Sequence, residues 1–229
     1  MRIVVEGPPQ GGKTTVASVV KERYGLCYVS TSEAVRNAVH LGNSAYSSQL
    51  KHLIDNDELI PDSLVVKVVS EATRRPDCIN GFVLDGFPRT RKQSKLMQEA
   101  ENVKVDTVVE LELSEKELLT RFGGRWYHPK SGRIYHTLYN PPLAAGKDDD
   151  TGEPLVQHSE DKPEMIMQRM LQYRRQLMEL RSTFASDTWL TVEANGNVES
   201  VRNNVFAVLD PLYYLHTSTK AAKPWWKFW

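Results

Sequence analysis

The 229-residue chain carries 29 basic and 29 acidic side chains, and 40% of its residues are hydrophobic. This length and apolar content suffice for one domain with insertions or for two small domains. The balanced charge gives no argument for a nucleic acid or an anionic membrane as a partner. The chain's apolar runs, such as residues 64–66, are too short to cross a bilayer.

Only two cysteines occur, Cys27 and Cys78, and neither has a CxxC spacing or a histidine-rich neighbourhood. The sequence therefore predicts neither a disulfide framework nor a structural zinc site, which favours a reducing intracellular compartment. An apolar strand already begins at residue 2 with no leader-like segment before it, so we expect a cytoplasmic protein. Internal organelle signals stay open.

A β-branched strand, predicted over Arg2–Glu6, leads into a glycine-rich loop. The run Gly-Pro-Pro-Gln-Gly-Gly-Lys-Thr occupies residues 7–14, called the phosphate loop below, and apolar residues then recur at helical spacing. In such a loop, backbone N–H groups and the positive end of the next helix cradle a polyphosphate. Lys13 then reaches the β- and γ-phosphates, and the Thr14 hydroxyl holds Mg²⁺. The sequence predicts that the chain binds a nucleoside triphosphate.

Further β-branched runs alternate with helical patterns, which predicts a mostly parallel sheet with helices on both faces. The predicted strands after the first are Leu26–Ser30, Phe82–Asp85, Thr107–Leu113 and Thr188–Glu193. Two intervals are too long for plain crossovers. Thr31–Pro61 is predicted to be an inserted helical arm, and Gly123–Asp161, rich in turn residues, a small inserted subdomain or flap.

A long helix follows the flap, and an aromatic segment ends the chain. Asp161 and Glu164 form a capping-box pair around Pro163, which predicts the start of this helix. Apolar residues then repeat every three or four positions as a buried stripe, with Arg169 at its edge. The stripe comprises Ile166, Met170, Tyr173, Leu177, Leu180 and Phe184. The last segment, 220–229, is rich in lysine and tryptophan, and its partner is unknown.

The third strand ends in Asp85, where nucleotide-binding α/β folds can hold the water shell of a magnesium ion. Directly after it stands Gly-Phe-Pro-Arg-Thr at residues 86–90. With Asp85 this run resembles the fingerprint of the adenylate kinase family, in its long-lid form. The similarity extends to about residue 212 and includes the phosphate loop, Ser30-Thr31, residues 59–62 and the flap motifs between residues 124 and 153.

The resemblance implies specific site residues. The implied donor-nucleotide contacts are Gln10, Gly11, Gly12, Lys13, Thr14, Thr15, Arg125, Ile134, Tyr135 and Gly196. The implied AMP contacts are Thr31, Arg36, Glu58, Leu59, Ile60, Gly86, Phe87, Pro88, Arg89, Gln93, His158 and Arg169. The implied catalytic residues are Lys13, Arg89, Arg121, Arg125, Arg169 and His158. The resemblance also implies that His128, Ser131, Asp148 and Thr151 pin the flap by hydrogen bonds.

The implied fold is a five-stranded parallel P-loop kinase sheet with two insertions. Residues 1–29, 61–123 and 162–216 would form the core, 30–60 the AMP-binding arm, 124–161 the lid and 217–229 the aromatic tail. The implied reaction is reversible, Mg²⁺-dependent transfer of the terminal phosphoryl group of ATP to AMP by a monomer. Its acceptor is already an anionic phosphate oxygen, so arginines that align and neutralise two polyanions are needed rather than a general base.

Three positions depart from the family pattern. Gln10 replaces a loop glycine, which costs about 1–2 kcal/mol if the position needs a positive φ. Thr14 stands where the family has glycine. His158 stands where the family has arginine, and imidazole is mostly neutral at neutral pH, whereas guanidinium is always charged. We expect His158 to weaken transfer and to make it pH-dependent.

Several alternatives stay open at this stage. GTP could replace ATP as donor, because the flap and residues 59–62 resemble the GTP-using branch about as well. The chain could act on UMP, CMP or GMP, or be a degenerate nucleotide-binding scaffold tethered by its tail. A switch-type GTPase or a nucleic-acid motor shares the phosphate loop but explains neither the fingerprint nor the flap.

Overall fold

The computed structural model describes residues 1–42, 44–100, 103–157 and 163–221. Its strands are β1 (Arg2–Glu6), β2 (Cys27–Ser30), β3 (Phe82–Asp85), β4 (Thr107–Glu112), β5 (Arg125–Tyr127), β6 (Ile134–His136) and β7 (Trp189–Glu193). Five of them form a parallel sheet in the order β2-β3-β1-β4-β7. These are the five strands that the sequence predicts, so the α/β fold class is confirmed.

Helices cover both faces of this sheet. They are α1 (Lys13–Tyr24), α2 (Thr31–Leu41), α3 (Ser47–Asp55), α4 (Asp62–Ala72), α5 (Arg91–Glu99), α6 (Glu115–Gly123), α7 (Pro163–Arg181) and α8 (Val198–Ala221). Successive side chains of β1 point to opposite faces, so Ile3 and Val5 pack against α1 and α8, whereas Val4 packs against α4, α5 and α7. Two apolar cores therefore sandwich the sheet.

The central position of β1 places the phosphate loop. Its neighbours β3 and β4 lie on either side of it, and the chain reverses its direction of winding there. In open parallel sheets, ligands bind at the carboxyl ends of the strands at such a reversal. The phosphate loop and the residues after β3 both lie at this edge.

The two predicted insertions contain their own secondary structure. In the interval 31–61, α2 and α3 pack on α4 through Ala38, Leu50 and Val68. In the interval 123–161, β5 and β6 form an antiparallel hairpin in which Trp126 pairs with Tyr135. In the predicted stripe of α7, Ile166 and Met170 are buried against α6, and Leu180 is buried against the sheet. The other three members, Tyr173, Leu177 and Phe184, are only partly buried, and Phe184 lies beyond the end of the helix.

The prediction that the cysteines would stay unpaired is wrong. Cys27, which begins β2, and Cys78, in the 3₁₀ turn Pro76–Cys78, form a disulfide, and both residues are buried. The parallel pairing of β2 with β3 brings the turn before β3 alongside the start of β2. Because 51 residues separate the two cysteines, their spacing gave no sign of this contact.

Some predicted features lie outside the described residues, namely His158, Asp161 and residues 222–229 of the tail. The first part of the predicted tail, residues 217–221, continues helix α8. None of the helices in the described part of the chain combines the length and the apolarity that a membrane crossing requires.

Candidate functional site

The phosphate loop adopts the concave shape that the sequence predicts. The Gly11 N–H donates to the Pro8 carbonyl at 2.9 Å, and a Cβ at Gly11 would lie 2.9 Å from that same oxygen. Gln10 and Gly12 have φ of 57° and 88°, and helix α1 begins at the next residue, Lys13. The loop therefore presents backbone N–H groups at a helix N-terminus, which is an anion-binding arrangement.

The Lys13 side chain folds back onto the phosphate loop. Its Nζ donates to the carbonyls of Gly7 and Pro8, both at 2.8 Å. Burial lowers the pKa of this ammonium, and the neighbouring carboxyl of Glu6 opposes that effect. The cation is thus held within the loop by carbonyl oxygens.

Asp85 receives two neutral hydrogen bonds at the end of β3. The Thr14 hydroxyl donates to Asp85 Oδ2 at 2.7 Å, and the Tyr28 hydroxyl donates to the same oxygen at 2.6 Å. Burial, together with this carboxylate, raises the pKa of Tyr28 to about 12. Among the described residues no basic side chain forms an ion pair with Asp85. A carboxyl group beside a threonine hydroxyl fits Mg²⁺, which binds through a few such oxygens and water.

The fingerprint turn positions Arg89 through its own backbone. Gly86 has φ of 68°, and Arg89 Nε donates to the Gly86 carbonyl at 2.8 Å. The Arg89 N–H donates to Gln93 Oε1, and Gln93 Nε2 donates to Asp62 Oδ1, both at 2.8 Å. The Thr90 hydroxyl caps α5 by accepting from the Gln93 N–H at 3.0 Å. Phe87 and Pro88, joined by a cis peptide bond, are buried beneath this turn.

A cleft of about 510 Å³, called the Arg89 cleft here, joins the phosphate loop to this turn. Lys13 lines it from α1, Arg89 and Gly86 from the fingerprint, and Arg169 from α7. Three cationic side chains that the sequence implied in phosphate transfer thus face one space. Gln93 also lines it, but its amide is already bonded at both ends within the protein.

A second cleft of about 290 Å³, called the hairpin cleft here, lies on the other side of the phosphate loop. Eight residues that the sequence implied line it, namely Gln10, Gly11, Gly12, Thr15, Arg125, Ile134, Tyr135 and Gly196. Among the polar side chains of its lining, sequence reasoning missed His136, Tyr139 and Arg202. The rings of His136 and Tyr139 lie 4.6 Å apart, so the hairpin contributes flat aromatic surfaces to this cleft.

Arg121 connects the phosphate loop to the end of β7. Its Nη1 donates to the Gly11 carbonyl at 3.0 Å and its Nη2 to the Ala194 carbonyl at 2.6 Å. Its Nη2 also donates to the Gly196 carbonyl at 3.3 Å, and its Nε donates to Glu117 at 2.9 Å. In this arrangement the guanidinium bonds the protein's own backbone next to the loop.

A buried hydrogen-bond network fixes the β5–β6 hairpin. Asp148 accepts from Arg133 Nε at 2.8 Å, from the Tyr135 hydroxyl at 2.9 Å and from the Thr151 hydroxyl at 2.8 Å. The Arg133 guanidinium above all holds the pKa of Asp148 well below its usual range.

His128, which is also buried, bonds Ser131 and Glu153 through its two ring nitrogens at 2.8 and 2.7 Å. The prediction that His128, Ser131, Asp148 and Thr151 pin this segment by hydrogen bonds is confirmed.

The arm does not bring its predicted residues to the Arg89 cleft. Thr31, Arg36, Glu58, Leu59 and Ile60 all lie outside its lining. Arg36 is exposed on α2, and Leu59 is 94% exposed. The Thr31 hydroxyl is buried and finds no hydrogen-bond partner within the described residues.

Sequence reasoning also missed Glu6 and Tyr28. Glu6 is the last residue of β1, is buried, and lines the Arg89 cleft. An acid between the apolar run 3–5 and the phosphate loop was a usable signal for Glu6. Tyr28 gave no such signal, because its contact with Asp85 depends on the pairing of β2 with β3.

A family model described as adenylate kinase matches residues 5–188, which is more than half of the chain. The chain belongs to the adenylate kinase family. This match confirms the family and the fold that the sequence indicated, and it supports phosphoryl transfer to a nucleoside monophosphate. In this member of the adenylate kinase family, the phosphate loop and the fingerprint lie at the same edge of the sheet. One cleft lies on each side of the phosphate loop.

Proposed function

We propose that this protein catalyses reversible, Mg²⁺-dependent transfer of the terminal phosphoryl group of ATP to AMP, giving two ADP. The observation that carries the proposal is the convergence of Lys13, Arg89 and Arg169 on the cleft that joins the phosphate loop to the fingerprint. Such a reaction would serve the balance of adenine nucleotides. The long-lid interpretation of residues 124–161 belongs to the same proposal.

On the donor side, the hairpin cleft would hold the nucleoside and the phosphate loop its polyphosphate. Ile134, Tyr135 and the backbone at Gly196 would contact the base, and Gln10 to Thr15 would surround the phosphates. Thr14 and Asp85 would hold Mg²⁺, directly or through its water. Bound there, the ion would neutralise charge on the β- and γ-phosphates.

On the acceptor side, Arg89 would bind the AMP phosphate, and the arm would supply the remaining contacts. For that, Thr31, Arg36 and residues 58–60 would move toward the Arg89 cleft, which they do not line in the present state. The unpartnered Thr31 hydroxyl supports this step, because a buried hydroxyl without a partner is costly and a ligand could satisfy it. Gly86 to Pro88 and Gln93 would complete the pocket.

The reaction would need alignment and charge neutralisation rather than proton removal. Arg121, Arg125 and Arg169 would surround the moving phosphoryl group with fixed, bidentate donors, and a well-placed arginine is worth about three to five powers of ten in rate. Lys13 and Arg121 now bond backbone carbonyls of the phosphate loop, and each would exchange carbonyls for phosphate oxygens. Closure of the lid would exclude water as a competing acceptor.

His158 remains part of the proposal, as a neutral or partly charged substitute for the family's arginine. We expect His158→Arg to raise turnover and to flatten the acid side of the pH profile. An unchanged rate and an unchanged profile would remove His158 from the site.

A coupled assay over a panel of donors and acceptors tests the proposal. We expect ADP formation with ATP and AMP, and the Lys13→Ala variant should show background rates. Preference for GTP at saturating AMP would assign the GTP-using branch. Binding without transfer would favour the scaffold, and deletion of residues 217–229 should then abolish its localisation.

We propose a monomer, with the cytoplasm as its compartment. The Cys27–Cys78 bridge argues against that compartment, because disulfides are rare where glutathione keeps thiols reduced. Rapid alkylation of denatured cell extracts, followed by mass spectrometry, would decide it. Two alkylated cysteines support the cytoplasm, and an intact bridge contradicts it.

A further inference from the structure

Glu6 places a carboxyl group in the cleft where phosphates are expected. Its side chain lines the Arg89 cleft together with Lys13, Arg89 and Arg169, yet only 6% of the residue is exposed. Its Oε1 is buried and has no hydrogen-bond partner within the described residues. A buried polar atom without a partner is costly, and a ligand that enters the cleft could supply one.

The groups around Glu6 define its chemistry. Lys13 faces it from α1, Arg89 from the turn after β3, and Arg169 and Tyr173 from α7. Glu110 is its register partner on β4, on the same face of the sheet. Asp85 lies on the neighbouring strand β3. Because side chains alternate between the two faces of the sheet along β1 and β3, Asp85 points to the face opposite Glu6.

We propose that Glu6 is a phosphate-binding residue of the Arg89 cleft that acts in its protonated form, so that occupation of the cleft by nucleotide phosphates takes up a proton. The inference rests on the proposed function, because it requires a phosphate chain in this cleft. A protonated carboxyl donates one hydrogen bond, whereas a carboxylate only accepts and would repel a polyanion.

The electrostatics of the cleft agree with this role. Burial raises the pKa of Glu6 to about 8, although Lys13 and Arg89 act in the opposite direction. A polyphosphate would bring further negative charge and would draw those two cations toward itself. Both changes favour the protonated carboxyl, so the bound state should hold the proton to a higher pH than the free protein.

Calorimetry with a bisubstrate ligand tests the inference without turnover. The probe is two adenosines joined through five phosphates, used without Mg²⁺ and in pairs of buffers that differ in ionisation enthalpy. We expect uptake of less than about 0.2 proton at about pH 7, where Glu6 is already mostly protonated, and close to one at about pH 9. The dissociation constant should rise about tenfold between these pH values.

Two variants test whether Glu6 is the group that takes up the proton. Glu6→Gln keeps the shape and a hydrogen-bond donor, so it should bind within about twofold of the wild type at neutral pH and about tenfold more tightly at about pH 9. Its proton uptake should disappear. Glu110→Gln neutralises the neighbouring buried carboxyl outside the cleft and should keep wild-type uptake.

Three outcomes of these titrations would each overturn the inference. Full uptake in Glu6→Gln would assign the proton to Lys13, whose pKa is also perturbed, and would overturn the inference. Binding without uptake in the wild type would overturn it too, while the proposed function stands. Absence of binding at every pH would overturn the proposed function, and this inference with it.

Discussion

The two clefts beside the phosphate loop differ in how completely the structure assembles them. The hairpin cleft is lined by eight of the residues that the sequence implied for the donor. The Arg89 cleft has Gly86, Arg89, Gln93 and Arg169 in place, but the five implied residues of the arm lie elsewhere. Strand ends and the hairpin build the first cleft, whereas the second depends in part on an inserted pair of helices. Under the proposed function, this difference corresponds to a preformed donor side and an acceptor side that the arm would complete.

The substitution Arg89→Ala is the strongest test of this difference between the two clefts. If each cleft binds its nucleotide independently and transfer needs both clefts, turnover should fall by about 10³-fold or more. The affinity for ATP should change less than about threefold. Initial rates and calorimetric ATP titration measure the two effects. Arg91→Ala, an exposed arginine at the start of α5, is the matched control and should behave as the wild type. A parallel loss of ATP binding would show that the clefts are not separate.

Arg36→Ala tests whether the arm closes on the acceptor side. Since Arg36 is exposed in the present state, only a moving arm gives its loss a kinetic effect. We expect kcat/KM for AMP to fall by about 10- to 100-fold, with KM for ATP nearly unchanged. Lys51→Ala removes an exposed charge from α3 of the same arm and should be silent. Wild-type kinetics for Arg36→Ala would contradict arm closure.

Two buried carboxyl groups, one in each region, are expected to affect the stability of the fold differently. Asp148, which bonds to the hairpin, accepts from Arg133, Tyr135 and Thr151, whereas Glu6 in the Arg89 cleft lacks a partner at Oε1. The pKa of Glu6 is raised from 4.5 to about 8 in the folded state, so the folded protein holds a proton that the unfolded chain has lost. Its stabilising contribution is therefore complete below about pH 4.5 and is lost as pH rises to about 8.

Urea unfolding of the wild type and of Glu6→Gln measures this effect. Relative to the variant, the wild type should lose up to about 1.4 kcal/mol of unfolding free energy per pH unit between about pH 4.5 and 8, and the difference should level off above. Glu110→Gln serves again as the control. A difference that stays constant over that range would mean that the pKa of Glu6 is not raised.

Gln10→Gly gives the smallest expected effect and probes the phosphate loop, which contributes residues to both clefts. Gln10 has a φ of 57°, which meets the condition for backbone strain, and a residue with a Cβ is strained there by about 1 kcal/mol. We expect the midpoint of thermal unfolding to rise by about 2–4 °C. An unchanged or lower midpoint would show that side-chain contacts of Gln10 compensate the backbone.

Features set by short runs of sequence were predicted well. The five strands, the loop with its strained Gln10, and the stripe on α7 each depend on neighbours a few residues apart. The fingerprint added a family, which implied about half of the residues that line the two clefts. Arg121 was implied near phosphates, but its bonds to Gly11 and Ala194 could not be foreseen, because they depend on how α6 meets β7.

The features that were missed join distant parts of the chain. Tyr28 meets Asp85 across 57 residues, and Cys27 meets Cys78 across 51. Both contacts follow from the register of β2 against β3, which composition and periodicity do not specify. The position of the arm could not be predicted from sequence either. The apolar pattern of its helices predicts how they pack on one another but not how they are oriented toward the site.

The bridge between Cys27 and Cys78 makes a covalent ring of residues 27–78, which contains the entire arm. Closing a ring of this size removes conformational entropy from the unfolded chain and is worth about 4 kcal/mol. A protease that cuts at the exposed Leu59 would therefore leave two pieces tied together. Such a cleavage would be invisible on a gel run without thiol reductant, and the nicked molecule could keep both halves of its nucleotide site in place.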